Sequence, residues 1–169
     1  NKIYDEYYKS YKSLNTKPWS IFFHNSSDFL RDKYRKQLFD LKKEKKINKI
    51  GVSVYKSDEI KKILDIDKPD ILQIPINILD QRLINNDLLK KIKSNKIEIH
   101  ARSIFLRGLL FYKVDDIIKI FPQIKNELLM LKEISHFNNI SIADLSLLWV
   151  SKIKEIDKIL FGVTSVREL

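Results

Sequence analysis

The chain contains no cysteine, which excludes a disulfide framework, a thiolate nucleophile and a cysteine-ligated metal. It has only three glycines, Gly51, Gly108 and Gly162. A sequence so short of glycine keeps it where a side chain cannot fit, at a tight turn, a helix entry or a close approach. No run of about 18 apolar residues occurs, the length a membrane helix needs. The opening NKIYDEYYKSYKS is polar and aromatic, unlike a signal peptide, so a cytoplasmic location is expected. Absence of a Walker loop, GxGxxG, HExxH and GxSxG argues against a P-loop enzyme, a Rossmann dehydrogenase, a zincin and an α/β-hydrolase.

The 169 residues are 44% hydrophobic, enough for a core of ordinary domain size. Isoleucine and lysine occur 26 times each and asparagine 11 times, against 2 alanines. A bias this general weakens any argument from the net charge of +10. The densest run, Lys42, Lys43, Glu44, Lys45 and Lys46, ends a predicted helix, where cations complement the dipole. It reads as a solvated helix end, and no nucleic-acid or membrane partner is expected.

Short apolar runs alternate with amphipathic stretches, the pattern of repeated βα units and a parallel sheet. Strands are predicted over 19–24, 49–53, 70–75, 97–104 and 158–163, all rich in β-branched or aromatic residues. Helices are predicted over 4–13, 29–46 and 87–94. Ser57 reads as an N-cap, Ser141 as a cap answered by Asp144, and Pro122 as first-turn proline of a helix running to about Phe137. Ser165 with Glu168 reads as a capping box opening a helix that the chain does not supply, so a fragment is expected.

In a parallel βα architecture the ligand lies at the carboxyl ends of the strands. The polar groups closing the predicted strands are His24, Ser53, Gln73 with Asn77, Arg102 with Ser103, and Thr164 with Ser165. His24 follows IFF and would put an imidazole at the mouth of the sheet; His100 and His136 read as structural. Gln73 lies in ILQIPIN, where an unpaired amide would cost ~1–3 kcal/mol, so it needs a core partner or a ligand. Arg102 must reach solvent, an anion or an ion pair within the sheet. The turn at Gly162 offers backbone N–H groups at a helix start, a setting that suits phosphate.

Taken in order, IFFHN, IGVSVY, DILQIPINILDQR, IHARSIFLRGLL and ILFGVTSVREL resemble the second half of the aldo/keto reductase family. The resemblance covers nearly the whole chain. It implies an α/β fold: a partial (β/α)8 TIM barrel of about five parallel strands, roughly strands four to eight, with residues 1–169 as one incomplete domain. It implies NAD(P) as cofactor, NAD against NADP being open, and a small-molecule carbonyl substrate reduced to an alcohol. His24 then matches the histidine that orients the carbonyl, and Ser53 and Gln73 match the holders of the nicotinamide carboxamide. Arg102 stands where many members stack a tyrosine on the nicotinamide, and Val54 where an asparagine is common. Ser103 and Phe105 begin the loop around the pyrophosphate, while Gly162, Thr164 and Ser165 belong to the segment receiving the adenosine phosphate end. Glu168 falls near a position that often carries an arginine for the 2′-phosphate. The proton-donating tyrosine, with its lysine and aspartate, lies on earlier strands of the family, so the chain alone is expected to be inactive. A non-catalytic half-barrel that pairs with a second chain, or self-associates through open sheet edges, is the alternative.

Overall fold

The computed structural model describes residues 2–84, 87–163 and 165–166. Five strands, β1 (Ser20–Phe23), β2 (Lys49–Ser53), β3 (Ile71–Pro75), β4 (Glu98–Arg102) and β5 (Lys158–Ile159), form one sheet in sequence order. Between them run α2 (Ser26–Leu30), α3 (Asp32–Lys43), α4 (Ser57–Ile66) and α5 (Leu88–Ser94), and then α6 (Val114–Ile120), α7 (Lys125–Phe137) and α8 (Ile142–Ser151), while α1 (Lys2–Leu14) precedes β1. The strands are parallel, as helical crossovers between neighbours require. The α/β class and the partial barrel expected from the sequence are what is observed.

The chain packs as two compact units, Asn1–Ile74 with Asp87–His100, and Pro75–Asn86 with Ala101–Leu169. In the first, Ile50, Val52 and Leu72 carry the sheet's buried side chains, and Leu38, Leu41, Ile60, Ile63 and Ile92 bring the apolar stripes of their helices to the core. In the second, Leu110, Ile117, Leu128, Leu131 and Ile142 form the core, with Ile78, Leu79 and Leu145 packed on it.

The close approach expected at a glycine occurs at Gly51. It pairs with Phe22 in the β1–β2 register, and a Cβ there would stand 2.2 Å from Phe22 Cδ1 and Cε1. Gly108 serves conformation instead: its φ is +85° and open space surrounds the missing Cβ. Gly162 shows neither a close approach nor a left-handed backbone.

Several boundaries differ from the sequence reading. The helix expected over 29–46 is two, because Arg31 is extended (φ −78°, ψ 111°) between α2 and α3. Arg35 bridges the break, its Nη1 donating to the Phe29 carbonyl at 3.2 Å and its Nη2 to Asp32 Oδ1 at 2.6 Å. The cap of α4 is Lys56 rather than Ser57, since Glu59 Oε2 accepts the backbone N–H groups of Tyr55 (2.6 Å) and Lys56 (3.1 Å) from inside the helix. Strand β4 stops at Arg102, because Ser103 turns left-handed (φ 60°). Strand β5 is two residues long: Leu160 N–H still donates to the Ala101 carbonyl at 2.8 Å, but Leu160, Phe161 and Val163 are exposed.

The Ser141 cap is as expected: its Oγ accepts from the Asp144 N–H at 3.0 Å and donates to Asp144 Oδ2 at 2.5 Å. Pro122 stands in the 3-10 turn that leads into α7. Among the described residues no helix is long and apolar enough to cross a membrane.

Candidate functional site

The carboxyl end of β2 is built by alternation. Lys49, Gly51 and Ser53 share one face of the strand, opposite Ile50 and Val52. Ser53 is buried and in register with Gln73 of β3, half-buried. Its hydroxyl donates to Gln73 Oε1 at 3.4 Å, and Val54 N–H donates to the Gln73 carbonyl at 3.0 Å. The partner that Gln73 required from sequence reasoning is thus in part Ser53. The two polar groups sit together at adjacent strand ends, an amide and a hydroxyl able both to donate and to accept.

Just past β3, Asn77 is fully buried. Its Oδ1 accepts the backbone N–H groups of Leu79 (3.0 Å) and Asp80 (2.8 Å), which folds the chain back on itself. Its Nδ2 is buried with no hydrogen-bond partner among the described residues. Asp80 in turn takes Arg82 in a two-pronged pair, Nε to Oδ1 at 2.7 Å and Nη2 to Oδ2 at 2.8 Å, and this guanidinium holds its carboxyl below the usual range.

At the end of β4 the Arg102 side chain is half-buried, and its Nη1 donates to Ser103 Oγ at 3.3 Å. The loop that follows is bent by residues with positive φ at Ser103, Leu106, Arg107 and Gly108. Phe105 in this loop packs its ring against Phe111 (5.2 Å between centroids) and Phe161 (6.0 Å, edge-on). His24 lies in the bend after β1, exposed, and opens the short turn into α2. Gly162 and Ser165 are exposed, and Thr164 lies outside the described residues, as does Glu168.

One group in the first unit escaped the sequence reading. Lys49 and Glu98, the first residues of β2 and β4, form an ion pair, and His100 Nε2 stands 3.3 Å from Glu98 Oε2. The Lys49 ammonium, and secondarily His100, hold the Glu98 carboxyl below its ordinary value against the opposing effect of burial. The ring of Phe22 stacks obliquely on His100, 6.3 Å between centroids. His100, read from the sequence as structural, is buried in this company, which was legible only as polar residues alternating at Glu98, His100 and Arg102.

The opening helix carries one tyrosine with a strongly held hydroxyl. The Tyr4 hydroxyl donates to Glu44 Oε1 at 2.7 Å, and this bond, with burial and the carboxylate charge, pushes its pKa up to about 12. A phenol so held is a poorer acid than free tyrosine. Among the described residues no cluster of histidine, aspartate and glutamate suits a metal.

Known proteins resemble this chain over most of its length. A NADH-specific methylglyoxal reductase of Escherichia coli is 28% identical over 146 residues, spanning 78% of this chain and 44% of that enzyme. An aldo-keto reductase of Bacillus halodurans superposes with a TM-score of 0.77 at 20% identity, over 98% of this chain and 59% of its own. The glycerol dehydrogenase of Gluconobacter oxydans gives 0.69 at 19%, over 95% and 54%. A Klebsiella pneumoniae aldo-keto reductase in complex with NADPH gives 0.70 at 16%, over 94% and 53%. The solved structures bear on the fold alone, and this chain spans about half the length of its relatives. Residues 2–169 match the model of the aldo/keto reductase family, and the chain belongs to that family.

Proposed function

We propose that these residues form the cofactor-holding part of an NAD(P)H-dependent reductase that converts an aldehyde or ketone to an alcohol. The observation that carries this reading is the Ser53–Gln73 pair, a hydroxyl and an amide 3.4 Å apart at adjacent carboxyl strand ends. A nicotinamide carboxamide presents one acceptor and two donor hydrogens, which such a pair can meet.

The dihydronicotinamide would supply hydride to the carbonyl carbon. The chain's own residues would do the rest of the holding. Ser53 and Gln73 would fix the carboxamide, and His24 would hydrogen-bond and polarise the substrate carbonyl oxygen. Ser103 and Phe105, with the bent loop to Gly108, would cover the pyrophosphate, and the segment at Gly162, Thr164 and Ser165 would take the adenosine phosphate end. The family's Asp, Tyr and Lys proton-donating set has no counterpart among these residues, so in this reading the 169 residues, one incomplete barrel domain, bind cofactor without turning over.

Titration of NADH and NADPH into the full-length protein, read by quenching of tryptophan fluorescence, tests the reading. Saturable binding of either is expected, and binding of neither overturns it. The alternative, a non-catalytic half-barrel completed by another chain or a second copy, draws on the exposure of Trp19 at the β1 edge and of Phe161 after β5. It predicts concentration-dependent sedimentation with no nicotinamide binding.

A further inference from the structure

The ring of Phe22 is laid across β2. It fills the space that a Cβ on Gly51 would occupy, level with that glycine in the β1–β2 register. Gly51 stands two residues before Ser53 on the same face of its strand. Beyond β2 the ring reaches towards β4, where its centroid lies 6.3 Å from that of His100. Two strands separate β1 from β4, so side chains standing upright on a flat sheet would be about 14 Å apart, three strand spacings. The contact therefore needs a concave face and a glycine at 51. His100 is itself held: Glu98 Oε2 stands 3.3 Å from its Nε2, and Lys49, two residues before Gly51, pairs with Glu98. A ring so placed closes the hollow below the Ser53–Gln73 pair, and being only half-buried it keeps part of its surface open.

We propose that Phe22 is a positioning residue of the cofactor site, the apolar floor that sets how deep a nicotinamide carboxamide enters between Ser53 and Gln73. The inference rests on the cofactor reading above, and the residues involved all belong to the first compact unit. A hydroxyl and an amide can bond the carboxamide only at its edge, and they hold it at one height only if something below stops it. A phenyl ring does this without offering a competing hydrogen bond, and it excludes the water that would otherwise fill the hollow and satisfy both groups. Gly51 acts through Phe22 by giving the ring its place. The Lys49–Glu98–His100 group acts through it as well, by backing the ring from β4.

The test compares two ligands on the full-length protein by calorimetry: whichever of NADH and NADPH binds better, and the matching ADP-ribose or its 2′-phosphate, which lacks the nicotinamide. Phe22→Leu lowers the floor, and Gly51→Ala pushes the ring up towards Ser53. Each is expected to weaken the cofactor about three- to tenfold, the scale of one ring contact, while the nicotinamide-free ligand binds as it does to the wild type. Phe22→Leu added to Gly51→Ala should weaken the cofactor by less than the product of the two single losses, because the smaller side chain makes room for the alanine methyl. Unchanged cofactor affinity in both single variants overturns the proposal. So does a loss shared equally by the nicotinamide-free ligand, which would report general damage to the fold, or a double variant whose losses simply multiply. A wild type that binds no nicotinamide cofactor overturns the cofactor reading and this inference together, whereas wild-type binding that both variants leave intact overturns only the inference.

Discussion

The ring of Phe22 occupies the space that a side chain at Gly51 would need: a Cβ there would lie 2.2 Å from two of its carbons and 2.6 Å from a third. The pair sits in register across β1 and β2, two residues below Ser53, so this contact sets how closely the two strands' faces approach beneath the candidate site. Replacing glycine by alanine in a strand ordinarily gains a few tenths to ~1 kcal/mol through the unfolded chain. Overpacking costs ~1–3 kcal/mol and should win here. Gly51→Ala is expected to lower the thermal midpoint, and Phe22→Ala in the same protein to recover part of the loss. Additive effects in a double-mutant cycle would show that the contact is not the cause.

The Lys49–Glu98–His100 group makes an acid-limb prediction. Glu98 titrates below its ordinary value of about 4.5 in the folded protein, chiefly through the Lys49 ammonium. A depressed folded pKa stabilises at pH above the unfolded value, and the contribution fades as pH falls through the folded one. Urea unfolding of wild type and Glu98→Gln should therefore differ most near neutrality and converge as the pH falls below the ordinary Glu98 value. A constant difference across that window would mean that the carboxylate's charge is not what Lys49 reads.

The Ser53–Gln73 pair is tested apart from folding. Ser53→Ala removes the hydroxyl at a buried position while keeping its volume nearly unchanged. Cofactor affinity is expected to fall about five- to tenfold, one hydrogen bond of ~1 kcal/mol, with the unfolding midpoint little altered. Equal affinity with a lowered midpoint would assign the pair a purely structural role.

The cap on α8 gives a prediction that involves stability alone. Ser141 Oγ accepts the Asp144 N–H at 3.0 Å and returns a bond to its carboxylate. Ser141→Ala should destabilise the protein by ~1 kcal/mol, and Ser141→Asp by much less, as followed by chemical denaturation.

Local signals carried well where the chemistry is local. The Ser141 cap, the proline turn into α7 and the cores of β2 and β3 need only neighbours within a few residues, and periodicity reports them. Boundaries failed where a distant group decides them. Nothing near Arg31 announces the break between α2 and α3, because the residue that satisfies the freed carbonyl is Arg35, a turn further on. Strand β5 was expected to run to 163, yet it ends at Ile159, and Phe161 and Val163 beyond the Leu160 bond to Ala101 are exposed.

The sequence by itself determined that this is a cysteine-free βα chain whose strands end in polar groups, since composition and alternation are properties of the chain alone. It also marked Gly51, Gly108 and Gly162 alike as places where a side chain would not fit, though Gly162 shows no such need. Tertiary structure decided that Gly51 yields to a ring and Gly108 to a left-handed turn. It also decided that Ser53 meets Gln73, and that Lys49 pairs with a carboxylate 49 residues away. Those outcomes depend on strand register, and register is set by side chains packing across strands rather than by any preference that a residue expresses among its neighbours in sequence.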